Sequence, residues 1–163
     1  MTVLSTLTLG GSSIVLRRAC VQDLPRIVEL LADDQLGAGR EEPANPDRVD
    51  PYVGAFHAID ADTAQLLVVA VDGQHVVATM QLSFIPGLAR RAALRAQIEA
   101  VRIAASHRSR GLGSAMLSWA IEEARHRGCA LVQLTTDKTR CDARRFYQRL
   151  GFVASHEGLK LPL

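Results

Sequence analysis

Cysteine is scarce in this chain. Cys20, Cys129 and Cys141 are odd in number and have no metal-ligand spacing, so neither a disulfide framework nor a metal site is expected. A reducing cytoplasm is the simplest home for such thiols. Excess charge is also lacking. A net charge of +2 over 163 residues argues against a general nucleic-acid binder and leaves room only for a local basic patch. No apolar run approaches the length of a membrane span, so no membrane partner is expected. The start, Met1 to Ser13, has no basic opening and no long apolar stretch of the signal-peptide kind. Its Thr, Ser and Gly content suggests a partly flexible lead-in over 1–13. No internal repeat and no linker divides the remaining residues, so 14–163 is read as one domain. With 48% hydrophobic and 22% charged residues, that length is ordinary for a soluble globular protein and sufficient to bury a core.

Alternating short runs of two periods fill this domain. Ile14 to Ala19 reads as a strand. Leu24, Ile27, Val28 and Leu31 then mark one face of a helix, with Asp23 as its N-cap and Pro25 in its first turn. From Ala32 to Pro51 the chain is rich in Asp, Gly, Glu and Pro and reads as a loop, a candidate substrate lid, followed by a helical stretch to Ile59. Its acidic residues Asp33, Asp34, Glu41 and Glu42 suit either a solvated loop or attraction of a cationic ligand. Gln65 to Val71, the Asp72-Gly73 turn and His75 to Phe84 form a β-hairpin. Pro86-Gly87 breaks it, and Arg90, Arg91 and Arg95 follow in a segment read as solvated loop. Gln97 to Ile103 is a strand on which Glu99, Val101 and Ile103 share a face by simple alternation. A helix from about Leu112 ends at the Arg125-His126-Arg127-Gly128 stop. Ala130 to Thr135 is a strand, Asp142 to Leu150 a short helix, and Phe152 to Leu161 one or two last strands.

The segment Arg108-Ser-Arg-Gly-Leu-Gly-Ser114 stands between a strand and a long helix. Its glycines permit a tight turn, and the first N–H groups of the helix point outward with the positive end of the dipole, which together suit an anion. Arg108 and Arg110 each cost about 0.3–1 kcal/mol near a helix N-terminus, and an anionic ligand turns that cost into attraction. A plain strand-to-helix turn with solvated arginines is the alternative. The segment lacks the Lys-Ser or Lys-Thr of a P-loop, and Met116 stands where a dinucleotide-binding pattern needs glycine.

Val101-Arg-Ile-Ala-Ala-Ser-His-Arg-Ser-Arg-Gly-Leu-Gly-Ser114 resembles the acetyl-CoA motif of the GNAT superfamily of N-acetyltransferases, with Arg108, Gly111 and Gly113 at its fixed positions. Phe146-Tyr-Gln-Arg-Leu-Gly-Phe152 resembles the second signature of that family. The order of elements fits from 14 to 163, and the motifs cover 97–152. The resemblance implies an α/β (α+β) fold with a central mixed, mostly antiparallel sheet flanked by helices. It also implies acetyl-CoA as cosubstrate and an amine acceptor. The strand backbone at Val101, Arg102 and Ile103 would hold the pantetheine arm, one N–H near Ile103 polarising the thioester carbonyl. The turn Arg108, Ser109, Arg110, Gly111, Leu112, Gly113 and Ser114 would hold the pyrophosphate. Arg140 stands where the family often has a pantetheine-binding Asn, and Ala105 where it often has Pro. A homodimer joined through strands is among the family's habits.

Acetyl transfer requires a neutral amine, so a base must take a proton from a group of pKa near 10.4, and the departing thiolate benefits from an acid. Tyr147 suits the acid role, or is a core aromatic like Phe146 and Phe152. Glu99, expected to be buried among Val101 and Ile103 with a raised pKa, is the candidate base. The alternatives are a carboxylate paired with Arg102 or Arg95, and proton removal through a water chain. Cys141 without a His partner reads as an incidental thiol. His107 is read as exposed beside the turn or touching a phosphate. His156 and Glu157 belong to a strand turn or line the acceptor pocket. A non-catalytic acyl-CoA-binding regulatory module is the competing class of function.

Overall fold

The computed structural model describes residues 2–33 and 51–162. The acidic residues Asp34, Glu41 and Glu42, and most of the loop read as a lid, lie outside the described residues.

Six strands form one sheet in chain order: β1 (Val3–Leu9), β2 (Ser12–Arg18), β3 (Gln65–Asp72), β4 (His75–Ile85), β5 (Arg95–Ile103) and β6 (Leu131–Leu134). All neighbours are antiparallel except β5 and β6. That parallel pair requires a crossover, supplied by helix α4 (Leu112–His126). Helices α1 (Leu24–Ala32), α2 (Pro51–Ala61) and α5 (Cys141–Arg149) complete the layers. This is the mixed, mostly antiparallel sheet with flanking helices that the sequence leads one to expect.

The segment 1–13 differs from the lead-in expected of it. Gly10 and Gly11, both at positive φ, turn the chain so that Val3–Leu9 pairs along β2 as an edge strand. The Thr residues that suggest looseness are β-branched, and alternating with Leu they favour a half-buried strand. The opposite end differs in the other direction. No strand forms among the described residues after Phe152, where one or two are expected. Its apolar runs are split by Ser155-His-Glu-Gly158, and Val153, Leu159 and Leu161 stay exposed.

The central strands are buried on both faces. Leu66, Val68 and Ala70 lie opposite Leu82, Met80 and Ala78 on one face; Val69 lies opposite Thr79 on the other. Continuous apolar runs rather than alternation are therefore what β3 and β4 need. Helix α4 packs Leu112, Met116, Leu117, Ala120 and Ala124 into the core, and α1 packs Leu24, Ile27, Val28 and Leu30. Between β4 and β5 the single turn α3 (Ala89–Ala92) has Arg90, Arg91 and Ala92 at positive φ, a left-handed rather than an α-helical turn.

Candidate active site

Strand β5 departs from a regular ladder at one point. Glu99 lies opposite Gln81 and Arg102 opposite Thr79, so Ala100 and Val101 together oppose one residue of β4. Ala100 sits at φ 53, the geometry of a β-bulge. The extra residue inverts the alternation. Glu99 shares its face with Arg102, while Ile103, opposite Ala78, faces the other way. The common face expected for Glu99 and Ile103 is thereby corrected.

Beyond the bulge β5 also loses its second neighbour. Strand β6 pairs with Arg95 to Ile98 and stops, while β5 continues to Ile103. Ala104 donates its N–H to the Val77 carbonyl at 2.8 Å. Extended backbone alternates, so the N–H and C=O of Ile103, and those of Val101 before it, turn to the edge that β6 has left. The carbonyls there are held by arginine: Arg102 donates from Nη1 to Val101 at 2.9 Å, and Arg108 from Nε to Ile103 at 2.9 Å. The N–H groups of Val101 and Ile103 face the gap with no described strand opposite.

The turn after β5 leads directly into α4. Ser109 and Gly111 are both at positive φ, and Gly111 caps α4 with no side-chain hydrogen bond. The N–H of Ala115 is bonded to Gly111, so those of Leu112, Gly113 and Ser114 precede the helical ladder. Arg108 does not reach outward from this turn. Its Nη2 donates to the Asp33 carboxylate at 2.8 Å and to the Asp33 carbonyl at 3.1 Å, tying the turn to the end of α1. Arg110 is exposed and makes no ion pair among the described residues. His107 is 18% exposed rather than solvated, hydrogen-bonded to Asp72 at 3.1 Å and to Ser106 at 2.8 Å.

Gly113 is where three elements meet. A Cβ there would lie 3.5 Å from Phe146 on α5 and 4.0 Å from Ile103 on β5. Leu9 of β1 packs below the turn, 3.8 Å from where a Gly111 side chain would begin. The two sequence motifs, distant in the chain, therefore converge beside the gap. Tyr147 follows Phe146 there, with edge-on contacts to the rings of Phe146 and Phe152. Burial pushes its phenol pKa up, and the charges of Arg140 and Arg102 oppose this only in part, so the proton is held firmly. Arg140 precedes the first turn of α5, and its N–H is bonded to Asp137.

Glu99 is exposed rather than buried, and the bulge after it places Ile103 on the other face. Among the described residues it pairs with neither Arg102 nor Arg95. Cys141 is exposed, His156 hydrogen-bonds Ser155, and Glu157 meets Lys138 at 3.5 Å on the surface. A cleft of about 580 Å³ lies on the far side of His107, lined by residues including Asp23, Arg26, Asp72 and His75; it contains neither Glu99 nor Tyr147. The bulge at Ala100 is the feature sequence reading misses, since alanine carries no signal for positive φ.

Comparison with known proteins agrees with the fold. The sequence profile of the acetyltransferase (GNAT) family fits residues 24–152. A transcriptional regulator from Bacillus halodurans, of known structure, is 47% identical, with a TM-score of 0.88 over 92% of this chain and 99% of that one. An acetyltransferase from Trypanosoma brucei is 26% identical, with a TM-score of 0.74 over 92% of this chain and 99% of that one. An aminoalkylphosphonate N-acetyltransferase from Salmonella typhimurium is 49% identical over 49 residues, 30% of this chain and 32% of that relative. The matched stretch thus spans about a third of the length of that protein.

Proposed function

The chain belongs to the acetyltransferase (GNAT) family, and from that premise we propose that it transfers the acetyl group of acetyl-CoA to a primary amine of a small molecule, amino acid or protein, by direct attack in a ternary complex. The observation that carries this reading is the convergence at Gly113 of an amide-lined helix start, the open edge of β5 and the helix bearing Tyr147.

The residues present fit acetyl-CoA on two independent features. The uncapped start of α4, from Arg110 to Ser114, suits a pyrophosphate, whose charge the helix dipole and Arg110 favour. The β5 edge at Val101 and Ile103 suits the amides of a pantetheine arm, which pair with strand backbone as a neighbouring strand does. Acetyl-CoA supplies an activated thioester there. Arg108 holds the turn in shape, and Arg140 and Arg102 flank the phenol of Tyr147. An N–H of the β5 edge polarises the thioester carbonyl. Glu99 takes the proton of the amine, directly or through a water chain. Tyr147 returns a proton to the sulfur as the C–S bond breaks and the N–C bond forms.

Calorimetric titration with acetyl-CoA is the test, in the wild type and in Gly113→Asp. Gly113 has helical φ and only ordinary contacts around its missing Cβ, so the variant changes charge without forcing the backbone, unlike Gly111 at φ 84. Binding that Gly113→Asp abolishes, followed by turnover in an amine screen, supports the reading. Wild-type protein that fails to bind acetyl-CoA sinks it. A second reading is a non-catalytic acyl-CoA-binding regulatory module, favoured by the Bacillus halodurans relative described as a transcriptional regulator. Acetyl-CoA binding with no turnover of any amine selects that reading. A cytoplasmic site of action and a homodimer belong to the proposal, the latter read directly by sedimentation. No described helix is long and apolar enough to cross a membrane.

A further inference from the structure

The sheet has two outer edges, β1 and β6, and they are finished differently. Strand β6 is four residues long. Just past its end the chain comes back against it: a Cβ on Gly158 would lie 3.9 Å from Thr135, and Glu157 meets Lys138 at 3.5 Å. Strand β1 is seven residues long, and no described strand pairs with its outer edge. Edge strands ordinarily resist further pairing through a lysine, a proline or a bulge. The middle of β1 has none of these. The first charged side chain of the sequence is Arg17 and the first proline is Pro25. The one shift of register lies at the start of the strand, between Val3 and Ser5.

The hairpin geometry fixes what this edge presents. Gly10 and Gly11, at φ 55 and 87, form a two-residue turn flanked by the pair Leu9 and Ser12. Such a hairpin closes on a pair that exchanges both backbone hydrogen bonds, and bonded pairs then alternate with non-bonded ones. Leu7 with Ile14 is therefore a bonded pair, while Thr6 with Val15 and Thr8 with Ser13 are not. The N–H and C=O of Thr6 and Thr8 point away from β2, to the free edge. Their side chains are exposed, whereas Leu7 and Leu9 pack against the core. The edge thus offers two donors and two acceptors placed evenly about Leu7, with no charge to repel an identical strand.

We propose that β1 is the seam of a symmetric homodimer. It pairs antiparallel with β1 of a second copy of this chain, and the two six-stranded sheets become one. A two-fold axis at Leu7 sets Thr6 opposite the partner's Thr8 as a bonded pair, and Leu7 opposite the partner's Leu7 as the closer, non-bonded pair. The threonines meet on the exposed face, where cross-strand Thr pairs are favourable, and Leu7 carries the core layer across the seam. The inference deepens the homodimer of the proposed function and rests on that part of it alone, not on the acetyl transfer.

Sedimentation velocity of the full chain over a dilution series is the test. The wild type should form a dimer that dissociates on dilution. Thr6→Lys/Thr8→Lys places like charges directly opposite one another in this register, and should weaken the dimer about tenfold or more. Thr6→Val/Thr8→Val keeps strand propensity and should remain dimeric. Under mild oxidation Leu7→Cys should give a disulfide-linked dimer, located at residue 7 by peptide mapping, because a non-bonded pair brings its Cβ atoms within bridging reach. A wild type that stays monomeric throughout the series would overturn the seam. So would a dimer unmoved by the lysine pair in protein of intact circular dichroism. If the lysine variant does not fold, a wild-type dimer whose Leu7→Cys form makes no bond at residue 7 overturns it equally. Calorimetry with acetyl-CoA keeps the two readings apart. Protein that dimerises through β1 without binding acetyl-CoA upholds the seam and sinks acetyl transfer, and monomeric protein that binds and turns over does the reverse.

Discussion

Asp23 receives both guanidinium nitrogens of Arg17, at 2.6 and 2.8 Å, and the N–H and thiol of Cys20, at 2.8 and 3.2 Å. Burial alone raises the carboxyl pKa, but these bonds and the charge of Arg17 outweigh it and hold the group below the ordinary carboxylate range. A depressed folded-state pKa gives stability that is present above the unfolded value, near 3.9, and is lost as pH falls through the folded one. Asp23→Asn leaves Arg17, 12% exposed at its side chain, without its charge partner. It should cost about 3–5 kcal/mol in urea denaturation at pH 7, and its stability should fall less steeply than the wild type's below pH 4. Tyr147 has the opposite displacement. Its raised pKa keeps the phenol protonated through neutral and mildly alkaline pH, as a proton donor requires. Tyr147→Phe should retain acetyl-CoA affinity and lower kcat by about 10²-fold, read in single-turnover assays with the best amine of the screen. Unchanged turnover would return Tyr147 to the role of a core aromatic.

At the scale of elements, β5 is decided by its bulge. Ala100 holds a left-handed conformation that glycine adopts freely, so Ala100→Gly should stabilise by about 0.5–1 kcal/mol with acetyl-CoA binding retained. Deleting Ala100 leaves Arg102 and Ile103 on the faces they already hold, but it straightens β5 and removes the kink where β5 leaves β6. That deletion should abolish acetyl-CoA binding in calorimetry while far-ultraviolet circular dichroism still reports a folded sheet. The same bulge shows where sequence reading succeeds and stops. Helices α1 and α4 and the β3–β4 hairpin are legible because period and turn chemistry agree, as at Asp72-Gly73. The turn from Arg108 to Ser114 and its partner around Tyr147 are legible because glycine and motif spacing carry the requirement. The face of Glu99 is not, since a bulge built on alanine leaves no mark and reverses every residue after it. Strand β1 is hidden by Thr and Ser residues that suit a loop as well as an edge, and the side-chain tie of Arg108 to Asp33 joins positions that only the fold brings together.

Across the whole molecule, the turn that precedes α4 is fastened to the rest of the fold from several sides. Arg17 and Asp23 fix the entry to α1, and Asp33 at its other end is held by Arg108, which also holds the end of β5. His107 links the same segment to the β3–β4 hairpin through Asp72, and Leu9 supports it from β1. A ligand seated on the turn therefore touches a segment that global unfolding must release, and its binding free energy adds to stability. At a hundred times its dissociation constant such a ligand contributes about 2.7 kcal/mol. For a chain of this size each kcal/mol raises Tm by about 2–4 °C, so acetyl-CoA should raise Tm by about 5–10 °C in differential scanning calorimetry. Gly113→Asp should show none of that rise when measured against its own unliganded Tm, since a Cβ there meets only ordinary contacts and the backbone is not forced. Arg108→Ala should lower the unliganded Tm little, since its pair with Asp33 is half exposed. Its ligand-dependent rise should nevertheless shrink, because the turn then has to be ordered by the ligand itself. A full rise in Arg108→Ala would mean that the backbone alone fixes the turn, and that the arginine serves only the junction of α1 with β5.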